Sequence, residues 1–154
     1  MNILYYIDGN NLLHATDRWE KFPRSDRRSH LVRYLEDDRP TGSTKNSVIV
    51  VFDGHIPKLG PIKSQTIKII FSGDKDADTI IRDSVDALSH PRSAIVVTND
   101  RSIRMHVRKK GAKVFSCEEF LKMGKNKPKV QYNQRLDATA AGEINEELKN
   151  IWKD

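Results

Sequence analysis

The chain holds a single cysteine, Cys117, in 154 residues. An internal disulfide is therefore excluded, a thiolate zinc cage is implausible, and a reducing compartment is expected. No apolar run approaches the roughly 18 residues of a membrane-spanning helix, and the first residues carry neither the basic segment nor the small-residue cleavage site of a secretory signal. A soluble, cytoplasmic protein without membrane contact is the expectation. Glycine is scarce where phosphate loops need it: only Gly9 follows the first apolar segment, so the glycine-spaced turn of a dinucleotide-binding domain is missing. His14, His30, His55, His90 and His106 show no metal-ligand spacing; His55, two residues after Asp53, lies nearest to other candidate chemistry.

What is abundant is positive charge. Lysine and arginine number 27 against 21 acidic residues, a formal charge of +6 and a pI near 9.5, which favours an anionic partner such as nucleic acid. The length fits one domain that buries roughly two thirds of its unfolded surface without a metal or disulfide staple.

Short runs rich in Ile, Val, Tyr and Phe occur at residues 3–7, 48–52, 67–71, 94–98 and 113–115. They are unbroken rather than alternating, as in strands covered on both faces. Helical spacing appears at 77–88, where Ala77, Ile81, Ser84, Val85 and Leu88 share one stripe, and at 102–110, stopped by Gly111. A further helix opens at Ser25 and runs through Leu31, Val32 and Leu35. Ser116 and Glu119 make the capping box of another. Strands alternating with helices predict an α/β fold: a mainly parallel five-stranded sheet with helices on both faces. Residues 1–123 form this domain. Residues 124–154 read as an appended basic loop, G-K-N-K-P-K, and a helix at 138–152 docked by Ile144, Leu148, Ile151 and Trp152.

Three predicted strands end alike: the first in Asp8, the second in Asp53-Gly54, the fourth in Thr98-Asn99-Asp100. In a parallel sheet all three turns emerge at the carboxyl edge, where α/β folds place ligands. Singly, Asp8, Asn11, Asn99 and Asp100 read as helix caps. Together the carboxylates repel unless protons or cations lie between them. From S-G-D-K-D-A-D, a rotation of about 100° per residue puts Asp78 at the margin of the apolar stripe and turns Asp76 toward water. Asp8, Asp53, Asp78 and Asp100 are thus candidate catalytic and metal-ligating residues, with Asn11, Thr98 and Asn99 in support. Oxygen donors without sulfur or imidazole imply Mg²⁺ or Mn²⁺, and such a site suits phosphodiester hydrolysis.

In order and spacing, "YYIDGNNLL", "VVFDG", "DADTIIRDSV" and "VVTNDRSIR" resemble the NYN nucleases of the PIN-like superfamily, in particular the YacP-like branch, over roughly residues 2 to 122. The resemblance implies a Mg²⁺- or Mn²⁺-dependent endoribonuclease, with Asp8 and Asn11, Asp53, Asp78, and Thr98 with Asp100 around the metal. It also implies RNA as partner, including messenger RNA on ribosomes. Asp8 would ligate metal, Gly9 would let the backbone turn close beside it, and Asn11 would tie the turn.

Arg101, Arg104 and Arg108 share one helix face opposite Ile103 and Val107, a candidate phosphate-binding surface, with Arg82 as a further contact. Arg24, Arg27, Arg28, Lys125, Lys127 and Lys129 extend the basic surface, and Trp19, Phe22 and Tyr132 are candidates for base stacking. A receiver domain would need an acidic pair after the first strand, and a haloacid-dehalogenase phosphatase an aspartate at position 10; neither is present. The remaining alternative is a PIN-like RNA- or ribosome-binding module whose carboxylates only cap helices. The oligomeric state is not readable from the chain.

Overall fold

A computed structural model describes residues 2–58 and 60–126. The predicted helix at 138–152, Lys127, Lys129 and Tyr132 lie outside the described residues, as do the side chains of Lys125 and Asn126.

Among the described residues five strands, β1 (Leu4–Asp8), β2 (Ser47–Phe52), β3 (Ile67–Phe71), β4 (Ala94–Val97) and β5 (Lys113–Phe115), form one sheet in the order β3-β2-β1-β4-β5, every pairing parallel. The fold is PIN-like, all parallel rather than mainly so. The helices are α1 (Gly9–His14), α2 (Arg24–Asp37), α3 (Ala77–Asp86), α4 (Arg101–Lys109) and α5 (Cys117–Asn126). Among the described residues no helix is long and apolar enough to cross a membrane.

Alternate residues of the strands divide between two cores, which is why the runs are apolar throughout. Tyr5, Ile7, Val50, Phe52 and Val97 face Leu12, Leu31, Leu35 and Phe120 from α1, α2 and α5. Tyr6, Val51 and Val96 face Ile81, Val85, Ile103 and Val107 from α3 and α4. Ile7, Val50, Val51 and Val97 have no exposed surface, and burying each such side chain contributes about 1.5–3 kcal/mol.

The helix boundaries follow local chemistry. Asp76 caps α3 through Thr79 N (2.8 Å). Asp100 caps α4 through Ser102 N and Ile103 N. Gly111, at φ +99°, closes α4 with bonds from its own amide to Arg108 O and from Ala112 N to Val107 O, a termination that needs the left-handed region. The Ser116–Glu119 capping box is formed in both directions, at 3.0 and 2.7 Å.

Two expectations are corrected. Residues 124–126 continue α5 instead of starting a basic loop: Gly124 packs so closely that a Cβ there would lie 2.5 Å from Tyr34 Oη and 3.2 Å from a Pro40 carbon. The glycine serves close packing of the helix. The second helix, α2, opens at Arg24, one residue before the expected Ser25, so Arg24, Arg27 and Arg28 all lie in its first turns.

Candidate active site

The order β3-β2-β1-β4-β5 makes the junction of β1 and β4 a switch point: the chain leaves β1 toward one edge of the sheet and returns to β4 on the other side. Crevices at the carboxyl ends of such strands are where α/β folds bind ligands. Here the ends of β1, β2 and β4 and the start of α3 surround a cavity of about 600 Å³. Six carboxylates line it: Asp8, Asp53, Asp76, Asp78, Asp100 and Glu118.

Asp8 is the deepest, 5% exposed. Its Oδ2 accepts from Thr98 Oγ1 at 2.9 Å and its Oδ1 from Asn11 N at 3.5 Å. Burial, with lesser repulsion from Asp53 and Asp100, outweighs those two bonds and pushes the carboxyl up to about 6. Asp53 accepts Ala77 N at 2.7 Å, joining the end of β2 to the start of α3. Asp78 meets Arg82 Nε at 2.7 Å one turn along α3, an ion contact out of line for a hydrogen bond, since neither atom has such a partner. Asp100 spends Oδ1 on the cap of α4.

The amides of D-G-N-N answer why polar residues follow β1. Asn10 Oδ1 accepts Asp53 N (3.1 Å), and Asn11 Oδ1 accepts Asn99 N (2.9 Å). Asn99 in turn accepts Cys117 N (2.8 Å) and donates to Glu118 Oε2 (3.2 Å). One turn thus ties the ends of β1, β2 and β4 and the start of α5. Cys117 is fully buried, and burial first, then the charges of Asp8 and Glu118, push its thiol up to about 12; it is an apolar filler, not a nucleophile.

Thr98, with no exposed surface, donates to Asp8 and accepts Asp100 N at 3.0 Å. Thr98→Val keeps the shape but leaves a buried carboxylate oxygen and an amide unpartnered. The expected loss is about 1–3 kcal/mol in urea unfolding at pH 7, with the Asp8 carboxyl moving still higher in an NMR titration.

The sequence-predicted residues divide clearly. Asp8, Asp53, Asp78, Asp100, Asn11 and Asn99 line the cavity, with Thr98 directly behind Asp8. Arg82, Arg101, Arg104 and Arg108 do not line it; Arg104 turns back to within 3.5 Å of Thr98 O. Asp76, expected to point away, is exposed yet lines the cavity. Glu118 and Asn10 went unassigned: the S-C-E-E run carried only the capping signal, and Asn10 acts on a residue 43 positions away.

Asp8, Asp53, Asp78 and Asp100, the expected metal ligands, line one cavity without closing on an ion by themselves among the described residues. Among the described residues no three His, Cys, Asp or Glu side chains are grouped closely enough to hold an ion. The donor set nonetheless fits a hard cation of another kind, because Mg²⁺ keeps several waters and needs only one or two carboxylates plus substrate phosphate. The second oxygens of Asp53 and Asp100 make no hydrogen bond among the described residues and are open to such an ion or its waters.

A family model described as the YacP-like NYN domain matches residues 5–154, further than the motifs themselves reach. Among solved structures, the chain is similar to Rae1 (YacP) from Bacillus subtilis at 23% identity and a TM-score of 0.67, covering 98% of this chain and 82% of that one. A tryptophan-to-leucine variant of Rae1 (YacP) from Bacillus subtilis gives 24% identity and a TM-score of 0.66 over 81% and 76% of the two chains. No curated protein sequence matches.

Proposed function

Because this chain belongs to the YacP-like NYN domain family, we propose that it is a ribonuclease that hydrolyses internal RNA phosphodiesters with Mg²⁺ or Mn²⁺. The supporting observation is the cavity itself: Asp8, Asp53, Asp78 and Asp100, contributed by four separate elements, line one depression, and the innermost is a carboxylate destabilised chiefly by its burial, with lesser repulsion from Asp53 and Asp100. A protein of net charge +6 that concentrates acid at the ligand-binding edge of its sheet is built to receive cations there.

When bound, a divalent ion supplies a water of lowered pKa and neutralises charge on the phosphodiester. The chain's own contribution is placement. Asp8 makes no ion pair among the described residues and is the strongest anchor for such an ion. Thr98 fixes the orientation of its carboxylate, and Asn10 and Asn11 hold the β2 and β4 turns in register with it. Asp53 and Asp100, both lining the cavity, are oriented by the amides that each accepts through one oxygen, which leaves the other without a hydrogen bond among the described residues. Arg82 balances Asp78 and sets its position on α3.

A second reading rests on a specific observation: Asp8, Asp76 and Asp100 cap helices, and among the described residues no three acids are grouped closely enough to hold an ion. On that reading the protein binds RNA or a ribosomal surface without cutting. Incubating the protein with mixed-sequence RNA in Mg²⁺, in Mn²⁺ and in chelator separates the two. The expected result is metal-dependent shortening of internal fragments, lost in Asp78→Asn. Stable binding with intact RNA in all three conditions would establish the module instead. The nuclease reading extends to messenger RNA engaged on ribosomes, tested by co-sedimentation of Asp8→Asn protein with ribosomes.

A further inference from the structure

Beside the acidic cavity lies a second concavity, of about 970 Å³, between α1, the first turns of α2 and residues 57, 58 and 60–62. The two share Asn10 and His14, so a strand leaving one passes directly into the other. Their charges are opposite: Arg24, Arg27, Arg28 and Lys58 line the second against only Glu20 and Asp26.

Two of the four cations are held in place by backbone carbonyls. Arg28 lies 5.4 and 5.6 Å over the rings of Phe52 and Phe71 and donates to Asp53 O at 3.1 Å. Arg27 donates to Phe22 O at 3.0 Å and to Glu20 O at 3.2 Å. Their charge is therefore fixed at the groove wall before any ligand arrives, and little side-chain entropy is lost on binding. Arg24 and Lys58 are exposed and make no hydrogen bond or ion pair among the described residues.

An acidic cavity repels a polyanion, so a phosphodiester brought there needs compensating attraction on a flanking stretch of the same strand. This groove supplies it at the cavity's rim. The arginines of α4, which the sequence singled out, line neither concavity. Trp19 lines the groove but is 3% exposed, so it offers no face for base stacking and recognition falls on the backbone.

We propose that this groove is the track for a single RNA strand, holding phosphates on one side of the bond placed at the carboxylates. The strand is single because a concave channel of this size admits one backbone, whereas an A-form duplex would touch only its rim. The proposal rests on the ribonuclease reading above but is tested apart from it. Binding of a labelled single-stranded RNA of mixed sequence is measured in chelator as a function of salt. Arg24→Ala/Lys58→Ala is expected to weaken binding on the order of tenfold at low salt and to flatten the log–log salt slope by about 1.4. Lys45→Ala/Lys68→Ala, equal charge removed at the opposite end of the sheet, is expected to change it by about twofold at most. All four side chains are exposed, so the variants keep the fold.

Equal losses in the two pairs, no loss in the groove pair, or a larger loss in Arg101→Ala/Arg108→Ala would overturn the track. Failure of the two readings is distinguishable. Groove-dependent binding without cleavage in Mn²⁺ removes the nuclease and keeps the track; cleavage with an unaffected groove pair removes the track alone.

Discussion

Asp8→Asn is expected to lower metal-dependent RNA cleavage on the order of a thousandfold or more and, at the same time, to make the fold more stable at neutral pH. The two effects share one cause. The folded protein holds the Asp8 carboxyl at about 6, against an ordinary aspartate near 4. Between about pH 4 and pH 6 the folded state therefore binds more protons than the unfolded state, and stability falls as pH rises through that window. Above about 6 the whole penalty is present, roughly two pKa units or about 3 kcal/mol. Asparagine removes the charge and can still accept one of the two bonds, so a net gain of about 1–2 kcal/mol at pH 7 is expected after the lost bond is counted. Urea unfolding of both proteins in chelator should show the gain at pH 7 and its disappearance below about pH 4. Added Mg²⁺ should close the gap at pH 7 by stabilising only the wild type. An asparagine variant that is less stable at pH 7, or that cleaves normally, would contradict the assignment of Asp8.

The second large effect concerns the residue beside it. Gly9 lies in α1 directly over the β2 core, and a Cβ there would sit 2.4 and 2.5 Å from two ring carbons of Phe52 and 3.1 Å from Val50 Cγ1. Phe52 has no exposed surface, tilts against Phe71 at 5.6 Å and carries Arg28 over its ring, so the ring has nowhere to retreat. Alanine is the better helix former by about 1 kcal/mol, but overpacking of about 1–3 kcal/mol or more opposes it. Gly9→Ala is expected to destabilise by about 2 kcal/mol and, by displacing the neighbour of Asp53, to reduce cleavage more than its stability loss alone explains. Thermal unfolding together with cleavage measured well below the midpoint checks both parts.

The sheet was legible from residue types because a strand buried on both faces has to be apolar throughout, and all five lie within a residue of the runs at 3–7, 48–52, 67–71, 94–98 and 113–115. Caps such as Asp100 and Ser116 were legible for a local reason: they act two or three residues away. What escaped notice acts at a distance. Asn10 bonds a residue 43 positions on, Arg28 secures a carbonyl 25 positions on, and Gly124 read as the start of a loop because its need for closeness to Tyr34 has no local signature. The arginines of α4 are a converse case: helical spacing put them on one face, and their position outside the cavity lining had no local signature.

The bond between Thr98 and Asp8 joins residues 90 positions apart, and β4, which lies beside β1 in the sheet, follows β2 and β3 in the chain. During synthesis, a chain still short of Thr98 has its first aspartate without its hydroxyl partner and lacks Asp100 altogether. A fragment ending before residue 98 therefore lacks both the hydroxyl that orients Asp8 and the Asp100 carboxylate, and is expected to carry none of the chemistry of the depression.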